Sequence, residues 1–339
     1  MAASSRASLA AIALIASTLA GRAQAPGDYY RGKSIELYIS SSVGGGYDAY
    51  ARALARHLGR FIPGNPAVLP KNMEGAGGLR LANFLYNVAP KDGTTLATIY
   101  RGTVFDPLLG GKGAQFEATR FTYIGSANNE VSVCVAWHTS GVSRYEQVLA
   151  KEFVVGASGF GADTYQFPKI VNGVLGTRFK MIMGYPGGND IDLAMERGEV
   201  QGRCSWSWTS LKATHRPWIS EKKINILFQM GLSKHPDLPD VPLIIDLADN
   251  PDGKAILELV FARQVMAWPY LAPPGIPRDR AEALQAAFMN TMADRDFLAD
   301  AEKSMLEIRP VTGDDIGKLV ARVYATPPAI VQRAADILK

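Results

Sequence analysis

Runs of apolar residues in this chain end, repeatedly, in a small cluster of glycines, and each cluster leads toward a segment patterned as a helix. "SIELYIS" (34–40) runs into Gly44–Gly46 and then "YDAYARALARHLGRFI", where Tyr50, Leu54, Leu58, Phe61 and Ile62 recur at helical spacing. "AVLPKNM" (67–73) runs into "GAGGLRLANFLYNVA", and "TTLATIY" (94–100) is a third strand. A second series begins near residue 126. Its strands are "VSVCVAW" (131–137), "EFVVGAS" (152–158), "RFKMIMGY" (178–185), "VQGRCSW" (200–206) and "INILFQMG" (224–231). Helix-patterned segments lie between them, among them "GFGADTYQFPKIVNGVLG" and "GGNDIDLAMERG". Strands that alternate with helices predict an α/β fold with mainly parallel sheets flanked by helices.

The stretch 235–253, "HPDLPDVPLIIDLADNPDG", is rich in proline and acid and reads as a surface connection between lobes. The helices after "VMAWPYLAPPGIPRDRAEALQAAF" need a sheet to pack on, so the chain is expected to return to its first sheet. Two lobes follow: 26–125 with 253–339, and 126–252. Ligands of α/β sheets collect beyond the carboxyl ends of the strands, so the glycine clusters would share one cleft between the lobes. A glycine loop ahead of a helix exposes unpaired N–H groups at the positive end of the helix dipole, which suits a carboxylate or phosphate. The plain alternative is a tight turn, which needs one glycine rather than three. For Gly44–Gly46 alone both readings stand. Ser158, in "GASGFGAD", adds a hydroxyl donor and weights the ligand reading.

The first 25 residues read as an export signal, with Arg6, an apolar stretch Leu9–Ala20 too short to span a bilayer, and cleavage after Ala23 or Ala25. No cysteine lies near that site, so no lipid anchor is expected, and the mature protein should be soluble in an oxidising compartment. Cys134 and Cys204 both fall in strand-like runs; a disulfide and two buried thiols both remain open.

Catalytic and cofactor patterns are missing. Gly44, Gly46 and Ala49 fit G-x-G-x-x-A, but no acid follows before Glu74, which argues against a dinucleotide. Ser158 follows Gly156 as in a nucleophile elbow, yet Phe160 stands where that motif needs glycine, and His57, His138, His215 and His235 are scattered. Metal-ligand spacings are absent. Asp190, Asp192, Asp314 and Asp315 read as helix-start residues. The net charge of +4, with no basic stripe, gives no case for nucleic acid. Arg101, directly after the third strand, and Arg203, in "GRCSWSW", could each hold a carboxylate in two parallel hydrogen bonds. The alternative is a salt bridge for Arg101 and a buried structural pair for Arg203. Trp206, Trp208 and Trp218 read as core or rim, and Tyr47 and Tyr185 as cleft-facing.

Seven segments in order resemble the substrate-binding proteins of tripartite tricarboxylate transporters, the TctC or Bug family: "YYRGKSIELYISSSVGGGYDAYARAL", "KNMEGAGGLRLAN", "APKDGTTLATI", "GASGFGAD", "YPGGNDIDLAMERGEV", "LPDVP" and "LAPPGIP". The resemblance covers essentially the whole mature chain. It implies a type II periplasmic binding-protein fold that closes on a small organic acid and delivers it to membrane permease subunits of the TctA/TctB type. It implies ligand contacts at Ser42, Gly45, Gly46 and Tyr47, then at Ser158, Gly159, Gly161 and Ala162, with Tyr185 and Gly188 nearby. Here "SSSV" replaces the family's proline-rich first loop, Pro186 replaces a common lysine, and "GRCSWSW" adds Arg203, so the ligand can differ; Arg101 with Arg203 would suit a dianion and the tryptophans an aromatic acid. The expected protein is a monomeric periplasmic receptor with no cofactor. The other readings are a secreted hydrolase using Ser158 and a ligand-loaded sensor subunit for a membrane kinase.

Overall fold

The structure is a computed structural model that describes residues 29–339 apart from 42, 45, 111, 159–161 and 186–187. The export signal and four of the expected ligand contacts, Ser42, Gly45, Gly159 and Gly161, lie outside the described residues.

Two sheets form. The strands, in chain order, are β1 (Ser34–Ile39), β2 (Ala67–Asn72), β3 (Thr95–Thr98), β4 (Thr122–Ser126), β5 (Ser132–Trp137), β6 (Phe153–Ala157), β7 (Phe179–Met183), β8 (Gly202–Ser207), β9 (Ile224–Met230), β10 (Pro269–Ala272) and β11 (Val311–Thr312). The first sheet runs β11-β4-β10-β3-β1-β2 and the second β7-β6-β8-β5-β9. The two-lobed α/β architecture is as expected, but each sheet is mixed rather than mainly parallel. Parallel pairing joins β1 to β2 and β3, and β6 to β7 and β8; β10, β11, β5 and β9 pair antiparallel. The reason is the crossover between lobes. The chain leaves the first sheet through 127–131, directly after β4, and returns through 262–268 into β10. These two segments run side by side: Ala127 N–H donates to Trp268 O (3.1 Å), Ala267 N–H to Asn128 O (3.3 Å) and Glu130 N–H to Gln264 O (3.0 Å). A returning strand beside a departing one is necessarily antiparallel.

The helices that matter for the site are α1 (Gly46–Leu58), α2 (Leu79–Asn87), α3 (Asp163–Leu175), α4 (Gly188–Glu196), α5 (Trp208–Thr214), α6 (Pro251–Phe261) and α7 (Pro328–Leu338). In α1 the spacing of Tyr50, Ala51, Leu54 and Leu58 puts all four on the buried face, as the sequence pattern predicts. The stretch 235–253 is no mere surface connection. Leu243, Ile244 and Ile245 are buried, and Gln229 Nε2 holds the loop by donating to Leu238 O and Val241 O (2.8 Å each). α6 and α7 pack on α3 and on each other, so the C-terminal helix joins helices on the second sheet's side. Cys134 on β5 and Cys204 on the neighbouring β8 form a buried disulfide, resolving the two readings left open above. Beside it β8 bulges: Val133 opposes Trp206 and Val135 opposes Arg203, and Ser205 takes φ +67°.

Candidate functional site

In the first lobe the loop after β1 is folded by Asp48. This carboxylate accepts from Gly44 N–H (2.9 Å), Arg52 Nε (2.9 Å) and Asn72 Nδ2 (3.0 Å), and Asn72 also donates to Ser41 O (2.8 Å). Burial pushes the Asp48 carboxyl up, but these donors outweigh it and the net shift is down. The sequence marked Asp48 only as a first-turn acid; its position four residues after Gly44 and four before Arg52 was the available signal. At Gly46 a Cβ would lie 2.6 Å from the Trp268 ring, so only glycine lets α1 approach the returning segment. Gly78 (φ +91°) lies against Thr103 and Tyr100, so the second glycine loop meets the loop after β3. Between them, at the carboxyl ends of β1 and β3, the buried hydroxyls of Ser40 and Thr98 have no hydrogen-bond partner.

Tyr47 braces this lobe to the hinge. Its hydroxyl accepts from Arg101 N–H (2.9 Å) and donates to Ala267 O (3.1 Å), and its ring packs edge-on against Tyr100 and Trp268. Burial pushes the phenol up to about 12, so it stays protonated.

Across the cleft, Ser158 directly follows β6. Its N–H donates to Thr164 Oγ1 (3.1 Å) and its Oγ sits 3.0 Å from the same atom. The partner is a threonine rather than an imidazole, and the hydrolase reading finds no support. Ala162 is the N-cap of α3, and Asp163 in its first turn is the meeting point of the two lobes. Arg101 Nη2 of the first lobe donates to Asp163 Oδ2 (2.8 Å), and Arg263 Nη1 of the returning segment donates to Oδ1 (3.1 Å). Burial alone would raise the Asp163 carboxyl; Arg101 and Arg263 reverse that and hold it below the usual range. Arg263 fits because position 102 is glycine, whose missing Cβ would lie 3.2 Å from Nη1.

Arg203 also has a carboxylate of its own. Its Nη1 donates to both Asp192 oxygens (2.8 and 2.9 Å), and its guanidinium stacks 4.3 Å from the Trp206 ring centroid. Gly188, at the start of α4, lies directly against this guanidinium, with no room for a Cβ. Burial pushes the Asp192 carboxyl up despite Arg203. Trp206, Trp208 and Trp218 are buried in one apolar cluster. Tyr185 is half-buried; its pKa is raised by burial and by Glu199, which its hydroxyl meets. The structure therefore gathers Gly46, Tyr47 and Arg101 at the first-lobe side of the cleft and brings Ala162 and Ser158 opposite, with Asp163 bridging. Gly188 and Arg203 form a separate braced pair. Sequence reasoning missed Asp163, Arg263 and Trp268, because their partners Arg101, Asp163 and Ser126 lie 62, 100 and 142 residues away. Among the described residues, no group of three His, Cys, Asp or Glu is arranged to hold a metal ion, and no helix is long and apolar enough to cross a membrane.

No family model matches the chain. A "UPF0065 protein in tcbD-tcbE intergenic region" from Pseudomonas sp. (strain P51) is 26% identical over 298 residues, covering 86% of this chain and 82% of that protein. The crystal structure of a TctC solute binding protein from Polaromonas superposes with a TM-score of 0.69 at 18% identity, over 89% of this chain and 99% of that one. MatC from Rhodopseudomonas palustris with bound malate superposes with a TM-score of 0.62 at 20% identity, over 91% and 99% of the two chains.

Proposed function

We propose that this chain, which has the two-lobed fold of the TctC and Bug periplasmic binding proteins, is a periplasmic receptor that captures a small organic carboxylate between its lobes and does no chemistry on it. The observation that carries the reading is the triad across the cleft. Two guanidinium groups, Arg101 from one lobe and Arg263 from the hinge, share one carboxylate from the other lobe. The arginines have hydrogen-bonding capacity left over, since Arg263 Nη2 is buried without a partner, and a ligand carboxylate can accept from it. Its oxygens would also meet the buried hydroxyls of Ser40 and Thr98 and the loop N–H groups at Ser42, Gly45, Gly46, Ser158, Gly159, Gly161 and Ala162. Malate in the similar MatC structure supports a carboxylate of this size. On this reading Tyr47 and the pairs Arg203–Asp192 and Tyr185–Glu199 brace the loops, and Gly188 gives Arg203 its room. Segment 126–252 is the second lobe, with α6 docked on it before the chain returns and α7 docked on it from the returned chain. After closure about the hinge, the loaded monomer would hand its ligand to TctA/TctB-type permease subunits.

A thermal-shift screen against dicarboxylates, tricarboxylates and aromatic acids tests this, using protein unfolded and refolded to remove any carried-over ligand. A ligand that binds only the folded state stabilises it, by about 2.7 kcal/mol at a hundred times its Kd. A clear shift with one class supports the receptor; no shift with any acid sinks it.

A further inference from the structure

The lobes are tied across the cleft by a contact that the chain makes with itself, and each side of that contact is built by its own lobe. On the second lobe's side, Asp163 and Gln166 share one face of α3, and both accept from Arg263 Nη1 (3.1 and 3.2 Å). Arg263 is itself held by α6, which packs on α3: its Nε donates to Val260 O (3.1 Å). On the first lobe's side, Arg101 N–H donates to the Tyr47 hydroxyl (2.9 Å), which donates in turn to Ala267 O (3.1 Å). The two sides meet where Arg101 Nη2 donates to Asp163 Oδ2 (2.8 Å).

This meeting point is not sealed. The Arg101 and Asp163 side chains are 17% and 24% exposed, against 12% and 3% for Arg203 and Asp192 within the second lobe. Water reaches the cleft pair, so it can part and re-form without leaving a buried charge alone. Its position also gives it leverage. Glu307 links the lobes too, but it meets Thr209 (2.7 Å), whose hydroxyl lies 3.3 Å from Glu130 on the outgoing segment, so it acts close to the pivot. Arg101 and Asp163 meet beyond the carboxyl ends of β3 and β6, across the cleft, where one contact resists opening with a longer arm.

We infer that Arg101 and Asp163 form an internal latch that draws the lobes together by itself, and that Asp163 is thereby a positioning residue that sets how far the receptor closes before any ligand arrives. The latch needs no ligand; only its effect on affinity rests on the receptor reading above. Arg263 Nη2 has no partner in the latched arrangement, so an acid can bind there with the latch made. For an acid that binds only the latched form, the apparent Kd is the intrinsic one divided by the latched fraction.

Double electron–electron resonance on the ligand-free mature protein tests the latch, with nitroxides on Lys71→Cys in β2 and Lys180→Cys in β7, both exposed positions. These edge strands lie farthest, in each sheet, from the strands that the crossing segments join. The protein is labelled, then unfolded and refolded without reductant to strip any carried-over acid. The distance of this structure should dominate, and a longer one should grow in Asp163→Asn and in Arg101→Met, the ratio of short to long falling about tenfold. The double variant should fall no further than either single one, since the two residues make one contact; the sum of the two effects overturns the latch. An unchanged distance distribution overturns it too, and either single variant suffices if the other fails to fold. Isothermal titration with malate, succinate and benzoate then reads affinity. In Asp163→Asn the Kd of each acid that binds should rise by the one factor by which the latched fraction falls. Tighter binding would make Asp163 a competitor of the ligand, and a factor that differs between acids would make it a direct contact; either result overturns the positioning role. If none of the three acids binds the unaltered protein, it is the receptor reading that fails, and the distances still decide the latch.

Discussion

Arg203 shows how a residue chosen for the right chemistry can be spent elsewhere. Its side chain is 12% exposed and that of Asp192 3%, so Arg203→Ala strands a buried carboxylate. Removing one member of such a pair costs about 3–5 kcal/mol, and urea unfolding of the variant should show a loss of that order. Any effect on ligand affinity should be smaller than this loss of stability. Asp163 differs in kind because it joins the lobes. Its carboxyl is held below the usual range, so its contribution is present above an ordinary aspartate value of about 3.9 and is lost as pH falls through its folded value. Asp163→Asn should therefore be less stable than the parent at pH 7, with the gap narrowing in urea titrations as pH falls below the ordinary aspartate value of about 3.9. Neither partner was legible beforehand. Arginine followed by small or aromatic residues signals a carboxylate, but whether the chain or a ligand supplies it depends on which helix start lies opposite.

The elements themselves were largely legible. The periodicity in 46–58, the apolar run of 34–39 and the glycine clusters after the strands each predict the structure found there. The loops were read less completely, since their glycines also serve close packing. Gly156 lies inside β6 against Ile191, and Gly46 lies against Trp268. Gly46→Ala should force the indole aside and cost about 1–3 kcal/mol, with a change in tryptophan emission as the check. β5 and β8 are additionally tied by the disulfide, whose sequence separation is 70 residues. Replacing both Cys134 and Cys204 by alanine should lower stability by about 2–4 kcal/mol, and reductant should lower the melting temperature of the parent but not of the variant.

At the scale of the whole molecule the lobes are joined by more than peptide bonds. Glu307, in the tail of the chain, accepts from His235 Nε2 (3.2 Å) and from the hydroxyl of Thr209 (2.7 Å), and lies 3.4 Å from Lys212 Nζ. The hydrogen bond from His235 is the main cause that takes its pKa down to about 2, against burial and with help from Thr209 and Lys212. A lowered carboxylate stabilises above its ordinary value near 4.3 and stops doing so as pH falls to about 2. Stability should therefore decline through that window, with a shallower slope in Glu307→Gln. Small-angle scattering should show the parent expanding over the same range. An identical pH profile for the two proteins would remove Glu307 from this role.

Sequence alone determined the kind of element at most positions, the strand-to-helix turns and the family resemblance, because side-chain periodicity and glycine's freedom act over a few residues. Tertiary structure decided the direction of the crossing strands, the carboxylate that occupies Arg101 and Arg203, and the pairing of Cys134 with Cys204. It also decided which buried polar side chains, Asn128 and Gln264 among them, keep an atom without a partner. Each of these depends on segments that meet only in the folded chain, at the hinge for Arg101 and within the second lobe for Arg203 and the disulfide. No local pattern carries that information, because it arises only when those segments pack together.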